Sequence, residues 1–280
     1  MSIDMNRLTS IVVKSSDAIV HVTLNRPERR NAFDARMVSE LCEAFEEFGG
    51  NASVRGIVLS GAGPTFCAGA DLRWMNPESA ISEMQAREDA QRLIRMYRAI
   101  DECTCPVIGR VHGPVFGGGV GMMAVCDIVV AAEDASFALS EVRLGLIPAI
   151  ISPFLLRKAG ESFLRRYGLS GEPFPASEAK HFNLVHDIIS PDSLDKRIHE
   201  LCEAIMRLAP QAVRQTKALL RHILAQPEGH RSVMCVDANV QARLSEEAKE
   251  GLRAFLEKRP AAWAQEARTP CAESSNATRQ

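Results

Sequence analysis

Three stretches carry residue types that could do chemistry. In FALSEVRLGLIP, Phe137 to Pro148, a single carboxylate, Glu141, stands in an otherwise apolar run. Burial would raise its pKa and let it move a proton near neutral pH; the plainer alternative is an ion pair with Arg143. In FCAGADL, Phe66 to Leu72, small residues follow a strand-ending turn. They let a ligand approach the backbone, where a free N–H could donate to an oxyanion, or they serve only a tight turn. In HGPVFGGGVGMMAVCD, His112 to Asp127, a glycine cluster leaves an apolar strand and opens a helix. That geometry aims unpaired N–H groups and a positive helix end at one spot, suited to developing negative charge or to a phosphate. The cluster is not a Walker A motif, because no Gly-Lys-Ser/Thr follows. It also lies too far into the chain for a GxGxxG dinucleotide turn.

Elements must hold these stretches. Ala18 to Leu24 alternates and is β-branched, which predicts a strand. Asp34 is the expected N-cap of a helix with Val38, Leu41, Phe45 and Phe48 on one stripe, closed by Gly49-Gly50. Arg55 to Ser60 is a short strand, apolar enough to be buried on both faces. Glu83 to Asp101 reads as a helix with Leu93, Ile94, Met96, Tyr97 and Ile100 inward. Val107 to Val111, Asp127 to Ala131 and Ser136 to Leu139 read as strands, with a helix from the glycine cluster through Cys126. Alternation of this kind is an α/β signal. From about Pro191 only helical patterns follow: the Leu194, Ile198, Leu201, Ile205, Leu208 stripe, a helix from Pro210, and others over Val233–Leu244 and Glu246–Glu257. The expected organisation is a core over 1–190, a helical subdomain over 191–259 and a fraying polar tail over 260–280.

Composition narrows the function. Of the 280 residues, 33 are Lys or Arg and 35 are Asp or Glu, a formal charge of −2 that offers no basic excess for nucleic acid. No apolar run approaches the roughly 20 residues that span a bilayer, and the N-terminus lacks signal-peptide order, so the expected location is cytoplasmic with no membrane partner. The 8 cysteines are scattered and read as reduced, mostly buried thiols. His112, His181 and His186 show no ligand spacing, and no metal is expected.

LNRPERRNAF (Leu24 to Phe33), FCAGADL, FGGGVG and SEVRLGLIP, in this order, resemble the enoyl-CoA hydratase/isomerase (crotonase) superfamily over roughly residues 8 to 260. The resemblance implies a ββα superhelical core with C-terminal helices over the active site, and a homo-oligomer, trimer or hexamer. It implies an acyl-CoA substrate, with CoA part of that substrate and no separate cofactor. The N–H groups of Ala70 and Gly118 would hold the thioester oxygen and stabilise an enolate, with Glu141 catalytic. Ala68, Asp71 and Leu72 would line the adenine and pantetheine path, Arg30 would sit near the CoA phosphates, and Phe255 and Lys258 would contact CoA from the C-terminal region. One departure stands out: two-glutamate hydratases carry a carboxylate three residues after the oxyanion glycine, where this chain has Gly121. A finer match, FCAGADLRWM, FALSEVRLGLIP, AIISPF and EGLRAFLEKR, looks like bacterial methylglutaconyl-CoA and isohexenylglutaconyl-CoA hydratases. It implies hydration of a branched, carboxylated enoyl-CoA such as 3-methylglutaconyl-CoA, with Arg73 a candidate partner for the carboxylate. The alternatives are an enoyl-CoA isomerase using Glu141 alone, a Clp-type peptidase, disfavoured because FGGGVGMMA offers no nucleophilic Ser, and a CoA-binding protein without catalysis.

Overall fold

A computed structural model of the chain describes residues 5–75 and 81–266. It divides into two compact units between Leu201 and Cys202, some ten residues beyond the boundary expected at 190. In the first unit β1 (Ile11–Ser16), β2 (Ile19–Leu24), α1 (Ala35–Gly50), β3 (Gly56–Gly61), α2 (Glu83–Asp101), β4 (Val107–Val111), β5 (Pro114–Phe116), α3 (Gly118–Val125), β6 (Ile128–Ala132), β7 (Ser136–Ala138), α4 (Ser152–Ser170), β8 (Phe174–Pro175), α5 (Ala176–His181) and β9 (Asp187–Ile189) follow in order. The large sheet has strand order β1-β2-β3-β4-β6-β9, antiparallel only at β1–β2, and β5-β7-β8 form a small sheet.

The chain alternates between these sheets. β4 enters the large sheet, β5 the small one, and α3 returns; β6 and β7 repeat the step, after which α4 leads to β8 in the small sheet and α5 to β9 in the large one. This is the expected ββα spiral, an α/β fold. Its central parallel strands are mostly apolar because both faces are covered: Ile57, Leu59, Val107, Ile108, Val129 and Val130 are buried. The Asp34 cap is in place, its side chain accepting from Met37 N at 2.9 Å. On α1 a buried carboxylate, Glu40, accepts from the backbone N–H groups of Ser10 at 2.8 Å and Ile11 at 3.0 Å. Those bonds tie β1 to the helix and satisfy a charge that burial would otherwise penalise.

Helix α6 (Leu194–Met206) runs across the division. The second unit continues with α7 (Pro210–Ala225), α8 (Glu228–Leu244), α9 (Glu246–Leu256) and α10 (Ala262–Glu266). Glu247 of α9 accepts from Gln211 N and Ala212 N, giving the first turn of α7 a carboxylate cap. Residues 267–280 of the expected tail lie outside the described residues. The seven described cysteines are thiols, all but Cys235 buried; Cys271 falls in that tail.

Candidate active site

The site starts from a polar scaffold. Asn31 is fully buried and left-handed at φ 54°. Its amide donates to Ala62 O and Thr65 O, and its Oδ1 accepts from Arg26 N at 2.9 Å. The Arg26 guanidinium reaches Asp71 Oδ2 at 3.0 Å and donates to Ala32 O. These bonds clamp the 26–33 turn against the 66–72 segment. Phe33 then forms a parallel bridge to Ala70: Phe33 N donates to Gly69 O, and Asp71 N to Phe33 O, both at 2.9 Å. A parallel bridge uses the flanking residues' groups, so the Ala70 N–H faces away from it.

A second turn packs against the first. Gly117 has φ 48° and ψ −117°, a conformation open to glycine, and its N–H is bonded to Ala138 O at 2.8 Å. The Gly118 N–H then leads α3, whose backbone dipoles point their positive end there. Gly69, at φ 88°, approaches so closely that a Cβ would sit 2.8 Å from Phe116 O and 3.2 Å from Gly118 N. Among the described residues, neither the Ala70 N–H nor the Gly118 N–H donates to a protein acceptor. Both residues line one cavity of about 290 Å³.

Glu141 lines the same cavity, at the start of a short 3₁₀ turn after β7. A Cβ on Gly117 would lie 3.0 Å from its Oε1, so the missing side chain is what lets the carboxylate approach the α3 end. Glu141 Oε2 is buried without a hydrogen-bond partner, the one such side-chain atom among the described residues. Burial pushes its pKa above the ordinary 4.5, offset in part by its own backbone N–H. The ion pair with Arg143, left open by the sequence, does not form: Arg143 is exposed, and Glu141 has no salt-bridge partner among the described residues. Apolar side chains make up most of the remaining wall, from Leu93 and Ile150 to Leu72, Met75, Leu144 and Ile147 at an exposed lip.

Ala68, Ala70, Leu72, Gly118 and Glu141 are therefore brought to one cavity. Asp71 is not part of its wall; its carboxylate holds Arg26 and accepts from Arg73 N. Arg30 is exposed at φ 52°, and its carbonyl accepts from Ala68 N at 2.9 Å. Arg73 is exposed and does not line the cavity. Phe255 and Lys258 belong to the second unit, where Phe255 is 81% exposed on α9 and Lys258 follows it at φ 55°. Sequence reading passed over Arg26 and Phe33, although both stand in LNRPERRNAF. It took Tyr97 for a plain stripe residue and missed Ile151. These last two explain Gly121: a Cβ there would meet Ile151 Cγ2 at 2.2 Å and the Tyr97 ring at 3.2 Å. The space for a second carboxylate is filled. Among the described residues no cluster of three or more His, Cys, Asp or Glu side chains could hold a metal, and no helix is long and apolar enough to cross a membrane.

A two-sheet ββα spiral with two free N–H groups and a buried carboxylate facing one cavity defines an α/β enzyme of crotonase type. The family model for enoyl-CoA hydratase/isomerase matches residues 14–266, and the chain belongs to that family. It is 34% identical over 251 residues to the mevalonyl-coenzyme A hydratase sidH of Aspergillus fumigatus, covering 88% of this chain and 91% of that one. The crystal structure of an enoyl-CoA hydratase from Shewanella pealeana superposes with a TM-score of 0.87 at 35% identity, covering 92% of this chain and 97% of that one. Pseudomonas aeruginosa AtuE does so with a TM-score of 0.88 at 34% identity, over 92% of this chain and the whole of that one.

Proposed function

We propose that the protein adds water across the double bond of a 2-enoyl thioester of CoA, through an enolate whose oxygen is held by the N–H groups of Ala70 and Gly118. The observation that carries this reading is the Glu141 carboxylate oxygen, buried and without a partner among the described residues, in the cavity that Gly118 also lines. The carboxylate takes a proton from water as the oxygen bonds to C3. The electrons pass to the thioester oxygen, and the same carboxyl returns a proton to C2. Each oxyanion donor is worth about 3–4 kcal/mol in the transition state. With Gly121 closed off by Ile151 and Tyr97, one carboxylate serves as both base and acid. The same feature favours the second reading, an isomerase in which Glu141 carries a proton from one carbon to another. Proton NMR of the product separates them: hydration gives a 3-hydroxyacyl chain, isomerisation only a moved double bond.

The acyl group is proposed to be branched, on the finer sequence match. A carboxylated end, as in 3-methylglutaconyl-CoA, needs a cationic or donor partner once buried. Among the described cavity residues the polar side chains are Ser140, Glu141 and Tyr97, which favours an uncharged branched end. A panel of enoyl-CoA thioesters with and without that carboxylate, assayed by mass spectrometry, decides between them. In this reading Arg30, Phe255 and Lys258 meet the CoA moiety, which brings its own reactive thioester and needs no other cofactor. A cytoplasmic trimer or hexamer is the proposed working form.

A further inference from the structure

Tyr97, on α2, is 1% exposed yet contributes to the cavity wall. A buried phenol keeps its place only by finding an acceptor, and its hydroxyl donates to Gly118 O at 2.8 Å. Gly118 has no side chain to restrain its backbone, and it stands at the first position of α3, an eight-residue helix, where the N–H has no intrahelical partner. A Cβ on Gly118 would lie 2.6 Å from Phe33 Cζ and 2.8 Å from the Tyr97 oxygen, so the two side chains close on this one residue. The Tyr97 ring also rests against the position of Gly121, and it packs on Phe154 with centroids 5.8 Å apart. Ring and hydroxyl together fix the first turn of α3 from one side.

We propose that Tyr97 is a positioning residue for the oxyanion site, its hydroxyl pinning Gly118 so that the Gly118 N–H stays aimed into the cavity as charge develops. This rests on the enoyl-thioester reading above. Tyr97 does not itself deliver a proton to substrate, because its hydrogen is committed to the Gly118 carbonyl. Burial, with Cys67 and Glu141 nearby, holds the phenol well above its usual pKa, so it remains a donor at working pH. The pinned carbonyl belongs to the 118–119 peptide, so loss of the pin loosens the Gly118 φ and ψ that set the direction of its N–H, which weakens an interaction made mainly in the transition state and so lowers kcat more than it raises KM.

The test uses the full-length protein and 4-dimethylaminocinnamoyl-CoA, an enoyl thioester whose absorption moves to the red as its carbonyl is polarised. The wild type is expected to red-shift the bound probe. Tyr97→Phe is expected to bind it within about twofold of the wild type while losing a clear part of the shift, with kcat on the best enoyl-CoA down about tenfold and KM little changed. Tyr97→Met, of similar length and also without the hydroxyl, should behave alike and stands in if the Phe variant fails to fold. A full wild-type shift in a folded variant lacking the hydroxyl would overturn the role of Tyr97 and leave the enoyl-thioester reading intact. Absence of any shift in the wild type would overturn both.

Discussion

Glu141 carries a buried carboxylate oxygen that no group among the described residues satisfies, although structural residues almost always find such partners. Glu141→Gln is expected to lower kcat by about 10²–10⁴-fold, the usual contribution of a positioned acid–base group, with CoA-thioester affinity kept in a binding assay. The same variant should be more heat-stable at neutral pH. The folded-state carboxyl has a pKa above 4.5, so the unfolded chain loses that proton first, and the wild type loses stability as pH rises from about 4.5 through the folded value. The gain in Tm for Glu141→Gln should therefore fade as pH is lowered below 4.5. Gly121 makes a different prediction. Gly121→Ala should cost about 1–3 kcal/mol of stability by overpacking, and an added Ile151→Ala should recover part of it, because the clash is with Ile151 Cγ2. Strict additivity in that denaturation cycle would contradict the packing account.

At the scale of elements, two turns aim two N–H groups. Gly69→Ala would drive a Cβ to 2.8 Å from Phe116 O at φ 88°, a strained placement costing about 1–3 kcal/mol. Chemical denaturation should show that loss. Ala70→Pro removes a donor that no acceptor among the described residues uses, since the Phe33 bridge runs through Gly69 O and Asp71 N. In a folded variant kcat should drop about 10²–10³-fold. Glycine positions made these turns legible in the sequence, because FCAGADL and FGGGVG announce where backbone must come close. The helix over 83–101 and the strand over 107–111 were equally legible from apolar spacing. Helix α4 was not: Gly160, at φ 83°, breaks it and with it the periodicity. Nor was β1, an edge strand whose second half is exposed and polar. The identity of Ile151 as the neighbour of Gly121 was beyond reach, since they meet only through the fold.

Across the whole molecule, a formal charge of −2 offers no basic excess of the kind nucleic-acid binders carry. The ββα order could be read from strand–helix alternation, whereas the division between Leu201 and Cys202 could not, because α6 continues through it. If Lys258 meets CoA, Lys258→Ala should raise KM for every enoyl-CoA alike and leave kcat near the wild type, the mark of uniform binding. The central claim is that Glu141 and the two N–H groups add water to an enoyl thioester. Proton NMR of the wild-type reaction with a branched 2-enoyl-CoA in deuterated buffer tests it most directly. The expected product is the 3-hydroxyacyl-CoA carrying one deuterium at C2. A shifted double bond with no new hydroxyl, or unchanged substrate across the thioester panel, would contradict it.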